Sequence, residues 1–512
     1  MNSPPGSAPL RGSHLALVAF ALALGTFMQV LDTSIANVAI PTIAGNLGVA
    51  PDQGTWVITS FAVSNGISVP LTGWLMMRYG VVRTFVLSVL AFTAASFLCG
   101  AAWSLSSLVV FRVLQGAVSG PMIPGSQALL LALFPPEKKG TALAIWSITT
   151  LAAPVTGPVL GGYISDNWSW PWIFYINVPV GVLSGLVCWH YLKRRDTRTR
   201  QLPIDTVGLG LLIVWVGALQ VMLDKGKDLD WFSSTPIVVL TVVALICFVA
   251  WLIWELTARY PIVDLSLFKS RNFSLGTVSY CLGYAVFFGN IVLLPLWLQT
   301  QLGYTATWAG LVAMPAGVVS VLVSPFAGRL IGKVDARWMA SLGFLAFAIS
   351  YFMRAGLTAD ASFSAFVMPQ LVMGIGMGTF FVAMISILLD GFAPERMPSA
   401  SGVSNFLRII SSAFATSITT TFWDRHEALH QTRLAESSSA YGQNLQDAVG
   451  GLQALGVDGS RAIGVLSQAL EHQAYLMSSL DYFWISGWLT LLPLALVWLT
   501  RRPRATAAAA AE

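Results

Sequence analysis

Two charged residues lie inside long apolar runs of this sequence, where no water is expected around them. Asp32 stands in the run from Leu15 to about Ile40, and Arg112 stands in a later run over about 106–133. A carboxylate near the middle of a membrane-spanning helix costs about 2.5–3.5 kcal/mol on insertion scales, so it usually marks an ion or substrate path. A guanidinium stays protonated in proteins and needs an anion, carbonyl groups or water. Pairing would offset much of the cost of burying both charges.

This pair of residue types favours a proton switch. A carboxylate binds a proton more readily when it is buried without a partner, and less readily beside a guanidinium. Movement of Arg112, or arrival of a cationic substrate, would then load or release a proton at Asp32. Each residue also has a structural interpretation. Asp32 could be a hydrogen-bonding residue near a helix end, and Arg112 could only brace helix ends.

Polar residues around Asp32 predict the wall of a cavity. Gln29, Asp32, Thr33 and Ala36 follow the spacing i, i+3, i+4, i+7, so they share one helix face. Asn37 lies one step off that face. We expect this face to line the cavity through which substrate and protons move.

A third buried polar group is expected in a later apolar run. Arg408 stands there with Asn405 one turn earlier. Arg408 could bind anionic groups or water, or it could brace a gate, and the sequence leaves these roles open.

The composition identifies the elements that must position these residues. The chain has 512 residues, of which 55% are hydrophobic and only 10% are charged, whereas soluble domains carry about 25% charged residues. An all-α integral membrane protein is therefore expected, and the formal net charge of +5 indicates membrane orientation rather than nucleic-acid binding. Fourteen apolar spans are long enough to cross a bilayer of roughly 30 Å. They cover about 15–37, 54–77, 83–103, 106–133, 140–163, 171–191, 205–223, 235–256, 273–298, 306–332, 337–357, 362–389, 399–422 and 479–500.

Basic residues predict the orientation of these spans. Of the 28 Lys and Arg residues, 20 lie at the N-terminus or after even-numbered spans, and six lie on the opposite side. Arg112 and Arg408 remain inside spans. The positive-inside bias places both termini in the cytoplasm.

An internal repeat links the two ends of the chain. Arg112, Gly116 and Gly120 in span 4 correspond to Gln370, Gly374 and Gly378 in span 12. Spans 1–6 and 9–14 therefore look like two parallel copies of a six-helix unit, with spans 7 and 8 inserted between them. Two such bundles predict a midplane site and alternating access by rocking. The predicted regions are a cytoplasmic N-terminus 1–14, an N-terminal bundle 15–191, a linker with the inserted pair 192–272, a C-terminal bundle 273–500 with a periplasmic loop 424–478, and a cytoplasmic tail 501–512.

Two further stretches combine glycine with proline or with cations. Span 5 contains Gly157-Pro158-Val-Leu-Gly161-Gly162, which permits close helix contact and a bend. This stretch could seal one half against the other, or it could serve packing alone. The turn from Gly73 through Arg78 and Gly80 to Arg83 could lock helices at its cytoplasmic end, or it could be a simple positive-inside turn.

Other chemistries find little support in the sequence. His426 and His430 stand at i, i+4 in the segment 424–478, but no third ligand is compelling, so no metal site is expected. That segment could dock a partner or be a plain helical loop. The sequence has no phosphate-binding loop of the Walker A type and no soluble catalytic domain. These features argue against an enzyme or sensor, and no cofactor is expected.

Motifs in spans 1, 4 and 5 together resemble the major facilitator superfamily. More narrowly, they resemble its fourteen-spanner drug:proton antiporter family, which includes the EmrB-like multidrug exporters of Gram-negative inner membranes. The motifs are Leu31-Asp-Thr-Ser-Ile-Ala-Asn-Val-Ala-Ile-Pro41, Phe111-Arg112-x-x-Gln115-Gly116 and Gly157-Pro158-x-x-Gly161-Gly162. Ala153 stands where the antiporter motif usually has its first Gly. Met77 stands where the loop motif usually has Asp, so a salt bridge that locks helices from position 77 is not predicted.

The resemblance implies specific roles for the residues above. It implies proton-driven export of hydrophobic or amphipathic toxic compounds from the bacterial inner membrane, in a lipid environment and without nucleic acid. It also implies a periplasmic adaptor protein and an outer-membrane channel as partners. Asp32 and Arg112 would couple protons, and a cytoplasmic loop would gate access through Gly73, Arg78, Gly80 and Arg83. Substrate would meet Gln29, Asp32, Thr33, Asn37, Gln115 and Arg408.

A proton-coupled importer of a small nutrient is the alternative function. Transport assays in sealed liposomes would separate the two directions and would also exclude a membrane enzyme.

Overall fold

The computed structural model describes residues 12–49, 51–135, 138–197, 199–201, 203–331, 333–358, 361–393, 396–437, 443–455 and 457–502. Within these residues the regular structure is helical, with a single isolated bridge between Ile331 and Val334. The all-α prediction is therefore confirmed. The predicted N-terminal segment up to residue 11 and the tail from residue 503 lie outside the described residues.

Ten α-helices form what we call the N-terminal half. They are α1 (Gly12–Leu47), α2 (Pro51–Gly54), α3 (Trp56–Ser68), α4 (Thr72–Tyr79), α5 (Val81–Gly100), α6 (Leu105–Ser119), α7 (Met122–Leu133), α8 (Lys139–Asn167), α9 (Trp172–Tyr175) and α10 (Asn177–Leu192). Two helices follow as the inserted pair, α11 (Thr206–Lys225) and α12 (Thr235–Thr257). The C-terminal half contains α13 (Arg271–Thr300), α14 (Ala306–Leu330), α15 (Ala336–Ala355), α16 (Phe363–Leu388), α17 (Met397–Ser437), α18 (Gln443–Ala454) and α19 (Gly459–Trp498).

The count of fourteen spans stays a prediction. Among the described residues, eleven helices are long and apolar enough to cross a membrane. A twelfth is added if the two parts of α8, bent by 43°, are taken as one span. The remaining predicted spans are 54–77, which is divided between α3 and α4, and 399–422, which lies in the polar helix α17. Each predicted span nevertheless coincides with a helix or with a pair of consecutive helices.

Prolines divide two of the predicted spans. The helical hydrogen-bond pattern is interrupted around Pro70, between α3 and α4, and again at Gly120 and Pro121, between α6 and α7, although the backbone at Val69, Gly120 and Pro121 keeps helical dihedral angles. Proline lacks the backbone donor that a continuous helix needs and its ring clashes with the preceding turn. These interruptions lie side by side, because the backbone beside Gly120 approaches Ser68 and Val69.

The two halves repeat the same close helix contacts. A methyl group at Gly116 would lie 2.6 Å from the carbonyl oxygen of Phe61, and one at Gly374 would lie 2.6 Å from the carbonyl oxygen of Ala316. The repeat identified from glycine spacing is therefore matched by equivalent contacts, α6 against α3 and α16 against α14. Small residues at these positions let the helix backbones approach each other.

The halves meet along α8 and α14, and along α17 with α4 and α7. The halves are in close contact at one end of the molecule. We call it the basic end, because it carries the basic connections at 78–83, 138–139 and 329–337. There the backbones of Gly140 and Gly328 are in contact, and the Ser401 hydroxyl donates a hydrogen bond to the Gln127 side-chain oxygen. The halves are therefore closed at the basic end in this structure.

The inserted pair packs beside the interface between the halves. Helix α11 contacts α12, α3 and α17, and the Trp215 ring lies 5.9 Å from the ring of Phe406 in α17. At the opposite end, Lys227 Nζ lies 2.7 Å from Asp424 Oδ2. The pair is therefore anchored to both halves.

Helices extend into most of the predicted periplasmic loop 424–478. Helix α17 continues to Ser437, α18 covers Gln443–Ala454, and α19 begins at Gly459. The Trp423 indole donates to Ser479 Oγ at 2.8 Å, which joins the two extended helices near the membrane. The described residues of this segment are therefore largely helical, and docking of a partner there stays a prediction.

Candidate functional site

Asp32 and Arg112 form an ion pair inside the N-terminal half. Arg112 Nη1 lies 2.6 Å from Asp32 Oδ2, and both side chains are 0% exposed. Coulomb attraction is strong and salt screening weak in such a buried site. The two charges that the sequence placed in separate spans are therefore brought together.

Amide side chains complete the shell around Asp32. Gln115 Nε2 donates to Asp32 Oδ1 at 3.1 Å, and Asn177 Nδ2 donates to the same oxygen at 2.8 Å. Asn177 also donates to Ser96 Oγ at 3.0 Å, and that hydroxyl donates to the Phe174 carbonyl at 3.0 Å. The carboxylate thus accepts three hydrogen bonds, from α6 and α10, which offset the cost of its burial.

Arg112 has neutral partners besides Asp32. Its Nη1 also donates to Gln115 Oε1 at 2.7 Å, and its Nε donates to the Val57 carbonyl at 2.9 Å. The guanidinium lies 4.3 Å from the centre of the Phe61 ring, a cation–π distance. Within the described part of the chain, Nη2 has no hydrogen-bond partner. One donor therefore remains open to a water molecule or a moving acceptor.

Local sequence explains this placement. Arg112 and Gln115 are one turn apart on α6 and face the same neighbours. Gly116 lets α6 approach α3 closely enough for Arg112 to reach the Val57 carbonyl. The site therefore depends on a glycine that makes no polar contact itself.

The predicted cavity face of α1 is largely enclosed in this structure. Asp32 and Gln29 are buried, Ala36 is fully buried, and Thr33 is half-buried and donates to the Gln29 carbonyl at 3.3 Å. Asn37 is exposed. Asp32 points to α6 and α10 in this structure, and the role of this face as the lining of a cavity stays a prediction. Gln29 Oε1 has no hydrogen-bond partner among the described residues.

Arg408 belongs to a separate cluster in the C-terminal half. It is 6% exposed, its Nε donates to Asn405 Oδ1 at 3.3 Å, and its guanidinium lies 4.7 Å from the centre of the Tyr284 ring. The predicted proximity to Asn405 is confirmed. The structure does not bring Arg408 into the shell of Asp32.

Arg354, which is counted from the sequence among the six basic residues of the opposite side, is another buried arginine. Arg354 lies in the last turn of α15, is 2% exposed, and donates from Nη2 to Gln370 Oε1 at 3.0 Å. Gln370 corresponds to Arg112 in the repeat. The C-terminal half thus places an amide where the N-terminal half has its arginine, and supplies an arginine from the neighbouring helix.

The glycine motif of α8 packs against α1. A methyl group at Gly157 would overlap Ser34, and one at Gly161 would lie 3.1 Å from the Ile35 carbonyl oxygen. Nothing lies within 4 Å of the corresponding point at Gly162. Val159 approaches Gly310 of α14. The glycines therefore serve contact within the N-terminal half, next to Asp32; the side chain of Pro158 lies outside the described residues.

The loop between α4 and α5 is held by the linker that follows α10. Asp196 Oδ1 accepts the Val82 N–H at 2.9 Å and Oδ2 accepts the Arg83 N–H at 3.2 Å, which caps the first turn of α5. Arg83 Nε lies 3.7 Å from the same carboxylate. The Arg200 N–H donates to the Met77 carbonyl at 2.9 Å. We call residues 196–197 and 199–200 the linker strap.

The other predicted loop residues surround this strap. Gly80 has φ +95°, a conformation that favours glycine, and a methyl group there would lie 2.5 Å from the Asp196 carboxylate. Gly73 contacts Ser399 of α17 across the interface, and the Arg78 guanidinium lies 5.3 Å from the Trp74 ring. The absent acid at position 77 is thus matched by an acid from the linker.

The two histidines of the predicted loop have separate partners. His430 Nε2 lies 2.7 Å from Asp481 Oδ2, whereas His426 stacks on Phe422 with ring centres 3.7 Å apart. No group of three potential metal ligands occurs among the residues that could be searched.

Two carboxyl groups outside the spans have shifted pKa values. Burial alone would raise the pKa of Asp335, but hydrogen bonds and charge from Arg337, with Arg502, hold it below its ordinary value. Burial raises the pKa of Glu427, with further contributions from Glu471 and Asp424. Asp335 also caps α15 by accepting the Arg337 N–H at 3.0 Å.

Four site residues were missed by sequence reasoning. Asn177 and Ser96 stand inside apolar spans, and a polar residue in such a span is itself a signal. Gln370, at the repeat position of Arg112, could have directed attention to Arg354. Asp196 was hidden among the basic residues at the start of the predicted linker 192–272.

Comparison with known proteins identifies the family. Residues 22–416 match the sequence profile of the Major Facilitator Superfamily. The chain is 49% identical to the multidrug export protein EmrB of Escherichia coli K12, over 97% of both chains. It is 46% identical to the fatty acid resistance protein FarB of Neisseria gonorrhoeae, over 97% of this chain and 98% of that one. The fold is similar to that of the human organic anion transporter MFSD10, with a TM-score of 0.59, 12% identity, and coverage of 95% of this chain and 100% of that one. This multi-pass membrane protein therefore belongs to the major facilitator superfamily, in agreement with the resemblance seen in its motifs.

Proposed function

We propose that this chain is a proton-driven antiporter that exports diverse hydrophobic or amphipathic toxic compounds. Its similarity over nearly its whole length to proteins named for multidrug export and fatty acid resistance supports this proposal. The observation that carries the proton coupling is the fully enclosed ion pair between Asp32 and Arg112. An acid that can change charge faces a cation that cannot.

Protonation of Asp32 would weaken its attraction to Arg112. The guanidinium would keep its bonds to the Val57 carbonyl and Gln115, so α6 and α3 would stay joined while α1 loses the charge attraction that ties it to α6. Helix α1 packs against the glycines of α8, and α8 contacts α14 of the other half. A proton at Asp32 would thereby bias the contact between the halves, and substrate would bind the competing state.

Transport into and out of proteoliposomes tests this proposal. An imposed pH gradient should drive movement of a fluorescent drug by the wild type. Asp32→Asn should still bind drug but lose the response to the gradient. Asp228→Asn applies the same change to an exposed carboxyl group (59% exposed) and should behave as the wild type. Normal proton-coupled transport by Asp32→Asn would refute the assignment of the proton carrier.

The direction of proton movement separates an exporter from a nutrient importer. For an exporter, drug and protons move in opposite directions across the liposome membrane. Proton uptake together with solute in the same direction would instead establish the importer.

The other predicted features complete the proposal. The protein would lie in a bacterial inner membrane with both termini in the cytoplasm and the basic end on the cytoplasmic side. A periplasmic adaptor and an outer-membrane channel would act with it. The helical extensions of α17 and α19 lie at the end opposite the basic end, where an adaptor would bind. Co-purification of an adaptor with the wild type, and its loss when residues 438–458 are replaced by a short linker, is the expected result.

A further inference from the structure

The C-terminal half buries positive charge without a carboxylate partner. Arg408 is 6% exposed and Arg354 is 2% exposed. No carboxylate lies within ion-pair distance of either one among the described residues, whereas Arg112 has Asp32. Burying a cation without an anion costs several kcal/mol in real proteins. Such a cation is expected to attract an anionic group that enters its site.

Arg408 shares a face of α17 with a residue that contacts the N-terminal half. Ser401, Asn405 and Arg408 follow the spacing i, i+4, i+7 and form one stripe along α17. The first of them bonds to Gln127 of the N-terminal half at the closed basic end. Two helical turns, roughly 10 Å, separate Ser401 from Arg408. Arg408 is therefore the first cation that follows the closed contact at Ser401 along this face of α17.

The groups around Arg408 are neutral. Its bond partner Asn405 is an amide, and the nearby ionisable groups are Tyr280, Tyr284 and Cys281 of α13, phenols and a thiol that are uncharged at neutral pH. The Tyr280 hydroxyl is buried and has no hydrogen-bond partner among the described residues. A buried polar group without a partner is costly and calls for a ligand or water. The guanidinium and this hydroxyl both offer donors to an anion.

Aromatic rings adjoin these donors. The Tyr284 ring contacts the guanidinium on one side and stacks with Phe288 at 5.7 Å. The Phe288 ring is only half-buried, so it retains surface for an apolar group. A ligand with an anionic head and an apolar body fits this arrangement, whereas a cationic head would be repelled by Arg408.

We propose that Arg408, with the Tyr280 hydroxyl, binds the anionic head group of the transported compound, so that amphipathic carboxylates are preferred substrates. This proposal rests on the proposed export function and gives it a charge preference. The two halves then divide the chemistry. The N-terminal half holds the proton-binding acid, and the C-terminal half holds the substrate-binding cation.

A matched pair of probes tests the site. Binding of 11-(dansylamino)undecanoic acid and of its neutral methyl ester is measured by fluorescence titration of the full chain in nanodiscs. Arg408→Gln should weaken binding of the acid at least tenfold and change binding of the ester less than twofold. Arg408→Lys should retain part of the affinity for the acid. Arg329→Gln removes an exposed arginine of the same half and should change neither.

Equal weakening of both probes by Arg408→Gln, or unchanged binding of the acid, would overturn the proposal. If Arg408→Gln does not fold, Tyr280→Phe decides. This substitution removes one hydroxyl and should lower the affinity for the acid about threefold without affecting the affinity for the ester. An unchanged affinity for the acid would overturn the site. Proton-driven transport of both probes by the wild type is measured in parallel. If neither probe moves, the export function fails, while the binding data still decide the anion site.

Discussion

The ion pair between Asp32 and Arg112 predicts an unequal response to removal of its two members. In Asp32→Asn, Arg112 stays charged because a guanidinium cannot lose its proton in a protein. Breaking a buried pair by removing one partner costs about 3–5 kcal/mol. Asparagine keeps an acceptor oxygen, so we expect a loss of about 3 kcal/mol in the free energy of unfolding. In Arg112→Gln, Asp32 keeps its two amide donors and can take up a proton, so we expect a loss of about 1–2 kcal/mol.

The double variant should be more stable than Asp32→Asn alone. Replacing both members of a buried pair by neutral groups is often close to neutral, so we expect a loss of about 1 kcal/mol. The coupling energy from the double-mutant cycle is then about 3–4 kcal/mol. The measurement is reversible unfolding by sodium dodecyl sulfate in mixed micelles at pH 7, followed by circular dichroism.

An exposed pair provides the control for this cycle. Lys227 and Asp424 lie 2.7 Å apart but are 39% and 35% exposed, so their coupling should be under about 1 kcal/mol and should fall further in 0.5 M salt. The coupling of the buried pair should not change with salt. Additive effects of Asp32→Asn and Arg112→Gln, within about 0.5 kcal/mol, would refute the reasoning.

Three further variants test other contacts. Asp335→Ala should lower the free energy of unfolding by about 0.5–2 kcal/mol through loss of the α15 cap, whereas Asp335→Asn keeps the cap. Because the pKa of Asp335 is lowered in the fold, the stabilisation by its charge is present above pH ~4 and is lost as the pH falls further. Unfolding curves at pH 7 and pH 3 would reveal this loss. Asp196→Ala should increase hydrogen exchange in the first turn of α5 without affecting α15, and unchanged exchange would contradict its capping role. Gly157→Ala should lower both stability and transport because its methyl group overlaps α1, whereas Gly162→Ala on the same helix should change neither; equal effects would count against the packing assignment.

The central charge pair could be predicted from the sequence because buried charges are costly. Membrane burial of Asp32 and Arg112 leaves few solutions other than pairing, whichever helices carry them. The positions of Asn177 and Ser96, which complete the hydrogen-bond network around Asp32, could not be predicted from the sequence. Their positions depend on the rotation of α10 and α5 about their own axes, which the apolar composition of those spans does not determine.

Helix continuity and loop positions were predicted less well. The interruptions at Pro70 and Pro121 have a local cause, and the prolines are visible in the sequence. Arg354 was counted among the basic residues on the opposite side because a cation near the end of a span usually reaches water. The structure buries it because Gln370 offers an acceptor from a helix that is adjacent in space, and such a contact cannot be inferred from hydropathy.

The linker strap has a consequence for how this chain can be engineered or shortened. Asp196 caps α5 from a segment that leads into α11, and α11 in turn packs on α3 and α17. The inserted helices are therefore not a removable module, because excising them together with their linker would also uncap α5. A shortened chain that keeps Asp196 and Thr197 ahead of α13 should therefore retain the cap of α5, whereas one that joins α10 directly to α13 should lose it.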